Sequence, residues 1–199
     1  MKRIIVGISG ASGVIYGIRT LEALRGMADV ETHLVMSPSA KRTIAEESDW
    51  TVDGVEALAD VVHPHRDIGA SIASGSFRTA GMLVAPCSVK TLSGIVHSYN
   101  DNLLTRAADV CLKERRTLVL MLRETPLHLG HLEMMAQAAR YGAVILPPVP
   151  AFYNRPQTLD DIVDHCVGKA LDQFGLEHRR MKRWKEATAA ADEPILAQV

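Results

Sequence analysis

The sequence predicts a parallel, doubly wound α/β sheet with helices on both faces, a three-layer Rossmann-like single domain. Three observations predict it. Short apolar runs alternate with helical patterns along the chain, the signature of parallel strands joined by crossover helices. Two runs, Met82–Pro86 and Thr117–Leu122, are continuously apolar, as strands covered on both faces are. The first run, Ile4–Val6, passes directly into a glycine-rich turn, Gly7-Ile8-Ser9-Gly10-Ala11-Ser12-Gly13, and then into a helical pattern from Val14.

That turn organises the rest. Glycines there permit positive φ and let backbone approach a ligand, and the helix that follows offers free N–H groups to a phosphate. Its spacing is G-x-x-G-x-x-G, not the dinucleotide G-x-G-x-x-G, and it lacks the P-loop lysine. Ser9 and Ser12 bring hydroxyls into the turn, and Ser12 is placed either to cap the helix or to face a ligand. A tight turn without a ligand is the plainer alternative. Gly17, one turn on, is small enough for the helix to sit close to the sheet.

The bulk properties narrow the function. With 199 residues the chain is long enough for one domain with a real core. Its 22 basic and 23 acidic side chains give a net charge of -1, which argues against a general nucleic-acid or anionic-membrane binder. No apolar run approaches the roughly 20 residues that span a bilayer. The chain begins directly in a strand, without a signal-peptide pattern. Cys87, Cys111 and Cys166 are odd in number and far apart, which fits reduced thiols and a cytoplasmic location. Cys87, at a strand end, is either a nucleophile or, more plainly, a buried thiol.

In order, Val30–Met36 is the second strand and ends at Ser37, where NAD-type folds want an acidic ribose ligand. Ser37 suits a phosphate or a flavin better, or an N-cap; Ser39–Ser48 follows as a helix. Val55–Val62 reads as a short helix leading to an edge strand. His63-Pro64-His65 lacks the further ligands a metal needs, so no metal site is expected. Ser71–Ser76 is a small, polar loop able to lie over a ligand. The Met82 strand ends in Ser88 and Thr91, a second hydroxyl-rich turn before a helix. Asn102–Glu114 is helical and carries Arg106 and Lys113; the Thr117 strand ends in Arg123-Glu124. A helix lies within Pro126–Tyr141, Ala143–Leu146 is the last strand, and Thr158–Phe174 is a long helix. Thr158 and Asp161 resemble a capping box there, and Gly175 stops it. Residues 1–185 form the domain and 186–199 a flexible tail.

In such sheets ligands bind outside the carboxyl ends of the strands, at the switch point. Ser12, Ser37, Ser88, Thr91, Arg123 and Glu124 all follow strands. They describe a pocket for a phosphorylated ligand with polar edges.

Several of these segments closely resemble the flavin prenyltransferase family (UbiX/Pad-like): Ser9–Gly13, Pro86-Cys87-Ser88 with Thr91, Arg106–Val110 with Leu112–Glu114, Arg123–Leu127, His131-Leu132-Glu133 and Pro148–Tyr153. Ser74–Phe77 and Leu171–Gly175 look most like the branch associated with hydroxyarylic acid decarboxylases. The resemblance runs from residue 3 to about Trp184 and departs at Met134, where many members carry Asn. A change in packing behind the site is expected there, not loss of activity.

The resemblance implies a flavoprotein-type fold and a metal-independent prenyl transfer. A dimethylallyl group from dimethylallyl phosphate joins N5 and C6 of reduced FMN, and the prenylated FMN goes to a UbiD-type aromatic acid decarboxylase. It implies a homododecamer with sites between subunits. By matching position, Gly10, Ala11, Ser12, Ser37, Ser88, Thr91 and Arg123 are implied FMN contacts. Arg106, Lys113, Tyr153 and Lys169 are the implied phosphate holders. Glu47 is the implied proton-relay partner of Ser12, Glu124 the acid that helps phosphate leave, and Trp184 the aromatic closing over the prenyl group. Two other classes remain in view, an FMN-binding decarboxylase and a non-catalytic flavin carrier. Peptidyl-cysteine decarboxylases of this fold use an early catalytic His and an Asn-Met-rich clamp, and neither is evident here.

Overall fold

The computed structural model describes residues 1–178, 180, 181 and 183. Six strands form one parallel sheet: β1 (Lys2–Ile8), β2 (Val30–Met36), β3 (Val61–His63), β4 (Gly81–Cys87), β5 (Thr117–Leu122) and β6 (Val144–Ile145). Their spatial order is β3-β2-β1-β4-β5-β6. The chain works outward from β1 to β3, then returns to lay β4 against the other side of β1. That reversal between β1 and β4 is the switch point, where the helices on either side diverge and leave a crevice.

Successive strand residues point to opposite faces, so one short run feeds two cores. Ile4, Val6 and Ile8 pack with Ile18, Leu21, Val167 and Leu171, on the face covered by α1 (Val14–Arg25), α2 (Pro38–Glu47) and α7 (Leu159–Asp172). Ile5, Met82 and Val84 pack with Leu92, Ala107 and Cys111, under α4 (Val89–Val96), α5 (Leu103–Lys113) and α6 (Leu129–Arg140). Each fully buried Leu or Ile contributes about 1.5–3 kcal/mol, so both cores are needed to hold the central strands. Gly17 lets α1 cross β4 at backbone distance, since a Cβ there would lie 2.4 Å from the Ala85 carbonyl oxygen.

Helix starts follow the predicted chemistry. Ser37, Ser88, Asn102 and Thr158 each accept a backbone N–H from the first turn of the helix they precede. Thr158 and Asp161 form the full capping box.

Two segments differ from the sequence reading. The predicted Val55–Val62 helix begins earlier, as α3 (Val52–Glu56), because the Thr51 hydroxyl caps it by accepting from the Gly54 N–H at 3.0 Å. The last strand shrinks to Val144–Ile145, for it pairs only with Val119 and Leu120 before Pro147. Ser71–Ala73 forms a single 3-10 turn.

Among the described residues no helix is long and apolar enough to cross a membrane. Nor do they place three or more His, Cys, Asp or Glu where a metal would sit. His63 meets His33 instead, with Nε2 2.9 Å from Nδ1. Trp184 and the predicted tail 186–199 lie outside the described residues.

Candidate functional site

The carboxyl ends of β1, β2 and β4 are stitched together by the backbone around the switch point. The Ser9 N–H donates to the Pro86 carbonyl at 3.2 Å, and the Ser37 N–H donates to the Ile8 carbonyl at 3.0 Å. Ser9 is wholly buried; its Oγ donates to the Pro86 carbonyl at 2.9 Å and accepts from the Ser88 N–H at 2.7 Å. This corrects one expectation: Ser9 ties two strand ends together and does not face a ligand.

Ser12 is exposed and does not cap α1. The N-cap position is Gly13, at φ 97°, a left-handed conformation that a β-carbon would strain. The side-chain cap is missing at Ser12 because a carboxylate from another helix does the work. Glu47 Oε2 accepts from the Gly13 N–H at 2.7 Å. That places a negative charge on the positive end of α1. It also brings Glu47 to the residue that follows Ser12. Gly10 is pressed against α2, where a Cβ would lie 2.3 Å from Ser39 Cβ.

The other predicted hydroxyls sit at helix starts beside this turn. Ser37 Oγ accepts from the Ala40 N–H at 3.1 Å. Ser88 Oγ accepts from the Thr91 N–H at 3.2 Å and lies 3.1 Å from Thr91 Oγ1. A serine cap uses only part of its hydrogen-bonding capacity, so each hydroxyl retains capacity for a phosphate or a ring edge. The N-termini of α2 and α4 thus lie beside this turn with positive dipole ends and hydroxyls, a phosphate-binding arrangement, while that of α1 is already met by Glu47. Arg123 follows β5 at the same edge, its N–H donating to the Cys87 carbonyl at 3.1 Å. Glu124 beside it is exposed and accepts from the Thr125 N–H at 3.0 Å. Cys87 is fully buried, and burial pushes its thiol up to about 12, which removes the nucleophile reading.

The implied phosphate holders are not gathered in one chain. Arg106 and Lys113 lie on α5, over one face of the sheet. Arg106 Nε donates to the Ala73 carbonyl at 3.1 Å, and its Nη1 pairs with Asp109 at 3.2 Å. Lys113 pairs with Glu114, against the backbone of Gly75. Tyr153 and Lys169 belong to the other face, where α7 packs on α1. Tyr153 meets the His165 ring edge to face, with centroids 5.8 Å apart. Lys169, one turn beyond His165, is 4.0 Å from Asp172.

Sequence reasoning missed two nearby groups. Tyr16, in the first turn of α1, stands against Gly13; burial raises its pKa, Cys166 adds to that rise, and Arg123 opposes it. His165 is buried in α7 with Nδ1 2.8 Å from the Asn154 amide nitrogen. The available signal was position: Tyr16 lies three residues after Gly13, and His165 four before Lys169.

This geometry is that of a flavin- or nucleotide-binding α/β protein, and comparison with known proteins narrows the class. The flavoprotein family matches residues 1–171. The flavin prenyltransferase UbiX of Escherichia coli strain K12 is 64% identical over 189 residues, covering 94% of this chain and all of that one. Among solved structures, AnUbiX (PadA1) in complex with FMN and dimethylallyl pyrophosphate superposes with a TM-score of 0.91 at 50% identity, covering 94% of this chain and 99% of the other. The dodecameric FMN-dependent UbiX-like decarboxylase of Escherichia coli O157:H7 also gives a TM-score of 0.91, at 55% identity, over 92% of this chain and all of that one. The chain belongs to the flavoprotein family and, within it, to the UbiX-type flavin prenyltransferases.

Proposed function

We propose that the chain transfers a dimethylallyl group from dimethylallyl phosphate to N5 and C6 of reduced FMN, making prenylated FMN for a UbiD-type aromatic acid decarboxylase. The observation that carries this reading is the placing of two hydroxyl-capped helix N-termini, those of α2 and α4, beside the glycine turn at the switch point. It fits FMN: one phosphate for the N-termini, and a flat ring for the crevice. The AnUbiX complex holds FMN and a dimethylallyl donor together in the same fold.

In this reading Gly10, Ala11, Ser12, Ser37, Ser88, Thr91 and Arg123 hold FMN. Arg106, Lys113, Tyr153 and Lys169 take the phosphate of the donor. As the allylic C–O bond breaks, charge grows on the departing phosphate, and preorganised cations stabilise it there. Glu124 stands beside the departing phosphate as the acid that assists its leaving, and Ser12 passes a proton from the flavin to Glu47. Trp184 closes over the prenyl group and shields it from water.

Because the phosphate holders lie on opposite faces of the sheet, one chain does not make a whole clamp. A second subunit supplies the missing half, in an assembly like the dodecameric relative. Exposed Leu129, Leu132, Val149 and Phe152 supply apolar surface for such contacts. Residues 1–185 are the working domain and 186–199 a tail, in a cytoplasmic protein.

Anaerobic incubation with FMN, dithionite and dimethylallyl phosphate, followed by mass spectrometry of the released flavin, tests the reading. The expected product is FMN heavier by one C5 prenyl unit. FMN recovered unmodified with both the phosphate and the pyrophosphate donor overturns it. A decarboxylase acting directly is the second reading, favoured by the description of the Escherichia coli O157:H7 relative. It requires turnover of an aromatic acid without a UbiD-type partner.

A further inference from the structure

We propose that His165 is a positioning residue for the donor phosphate: it locks the Tyr153-Asn154 segment onto α7 at a fixed spacing from Lys169. The inference rests on the reading of Tyr153 and Lys169 as phosphate ligands, and goes beyond it by assigning the link between them.

Four observations place His165 in that role. Its ring is buried within α7, with 7% of its surface exposed, while Tyr153, Asn154 and Lys169 lie around it. Its Nδ1 is 2.8 Å from the Asn154 side-chain amide. Tyr153 stands edge to face on the same ring, at an interplanar angle of 83°. Lys169 follows one helical turn later, on the same face of α7.

Upstream in the same segment, the Cys166 thiol of α7 donates to the Val149 carbonyl at 3.8 Å. Phe152 and Tyr153 are exposed, and no regular structure spans Leu146–Gln157. Asn154 Oδ1 is buried and meets no hydrogen-bond donor among the described residues, so the imidazole contact is the amide's one direct side-chain tie among them. A half-satisfied buried amide gains most from the one bond it makes, since losing it leaves the group wholly unpaired.

The protonation state agrees. Burial lowers the His165 pKa, Lys169 lowers it further, and Asp172 opposes. The ring is neutral at pH 7, and with its proton on Nε2 its Nδ1 accepts from the Asn154 amide nitrogen 2.8 Å away. An imidazolium would have to donate from Nδ1, turning the amide over and adding a second positive charge one turn from Lys169.

The test compares His165→Leu, His165→Asn, Asn154→Ala and Tyr153→Phe in the full-length protein. KM for dimethylallyl phosphate, kcat and FMN affinity are measured for each. Leu keeps the volume and removes the bond; Asn returns a hydrogen-bonding atom near the place of Nδ1. Mislocated phosphate ligands weaken ground-state binding first. The expected result is a KM raised about 10-fold in His165→Leu and Asn154→Ala, with kcat within about 3-fold and FMN affinity unchanged. His165→Asn recovers most of the loss. If Tyr153→Phe raises KM while His165→Leu and Asn154→Ala do not, positioning is overturned and the phosphate reading stands. If Tyr153→Phe also leaves KM at the native value, both fall. Should His165→Leu fail to fold, Asn154→Ala decides, because it cuts the same bond from outside the core.

Discussion

The Ser9–Gly13 turn and the cationic residues of α5 and α7 belong to one proposed site but are built in opposite ways. The turn is held from three directions within one chain: by Pro86 and Ser88 through Ser9, by Ser39 against Gly10, and by Glu47 on the Gly13 N–H. The cations sit on opposite faces of the sheet, and each rests on a local carboxylate: Arg106 on Asp109, Lys113 on Glu114, Lys169 near Asp172. The turn proposed for the flavin is therefore ordered within a single subunit. The proposed donor-phosphate clamp is divided between the two faces, and in that proposal a phosphate takes the place of the local carboxylates. The most exposed of these pairs, Lys113–Glu114, contributes little in water, so a phosphate dianion displaces it at small cost.

The largest effect expected from this contrast is on the divided half. Lys113→Ala and Tyr153→Phe should each cut prenyl transfer strongly, by about 100-fold or more for the lysine, while FMN still binds. Co-expressing the two variants gives the sharper result. If each clamp joins α5 of one subunit to α7 of another, random assembly restores about a quarter of the sites. Recovery of activity in mixed oligomers supports the divided clamp. Mixtures no more active than the two variants alone would falsify it.

The compact half should break differently. Gly10→Ala puts a methyl 2.3 Å from Ser39 Cβ, so the turn must leave α2. FMN affinity should fall by about 10-fold or more, with a stability loss of about 1–3 kcal/mol. Fluorescence titration with FMN and thermal melting measure the two. Retention of native FMN affinity would show that the turn can shift without cost to the ligand.

Much of this was legible in the chain, for physical reasons. Alternating apolar runs and helical patterns fix strand and helix order, and Ser37, Ser88 and Thr158 announce helix starts because a cap is a local, three-residue event. Local chemistry does not say which of two hydroxyls faces outward. Ser9 and Ser12 looked alike until the Pro86 and Ser88 backbone claimed Ser9. The separation of Arg106 and Lys113 from Tyr153 and Lys169 was hidden for a different reason: it follows from β4 lying beside β1, which puts α5 and α7 on opposite faces. The His165–Asn154 bond was equally invisible, joining a turn to the interior of the following helix.

Glu47→Gln probes the join between the halves with a smaller effect. Glutamine still accepts from the Gly13 N–H, so the turn and FMN binding persist. It no longer takes a proton, and the final ring-closing stage should slow by about 10-fold or more, leaving a partly reacted flavin that mass and absorbance distinguish. An unchanged rate removes Glu47 from the chemistry and leaves it a helix cap.

The smallest effect is a control outside both halves. Asp60 accepts from the Thr32 backbone N–H at 2.7 Å and from its hydroxyl at 2.8 Å. Those bonds, led by the backbone one, hold its carboxyl below the usual range, against a desolvation cost. A depressed folded-state pKa adds stability above the unfolded value, and that stability is lost as pH falls through the folded one. Asp60→Asn should therefore lower the unfolding free energy read from urea titration at pH 7 slightly, by less than about 1 kcal/mol because the group is exposed. At a pH below both values the variant and the native chain should converge. Prenyl transfer and FMN affinity should not move, since Asp60 supports the start of β3 at the far end of the sheet from the crevice. A change in either would mean that the edge strand communicates with the switch point, and that the losses in Gly10→Ala cannot be ascribed to the turn alone.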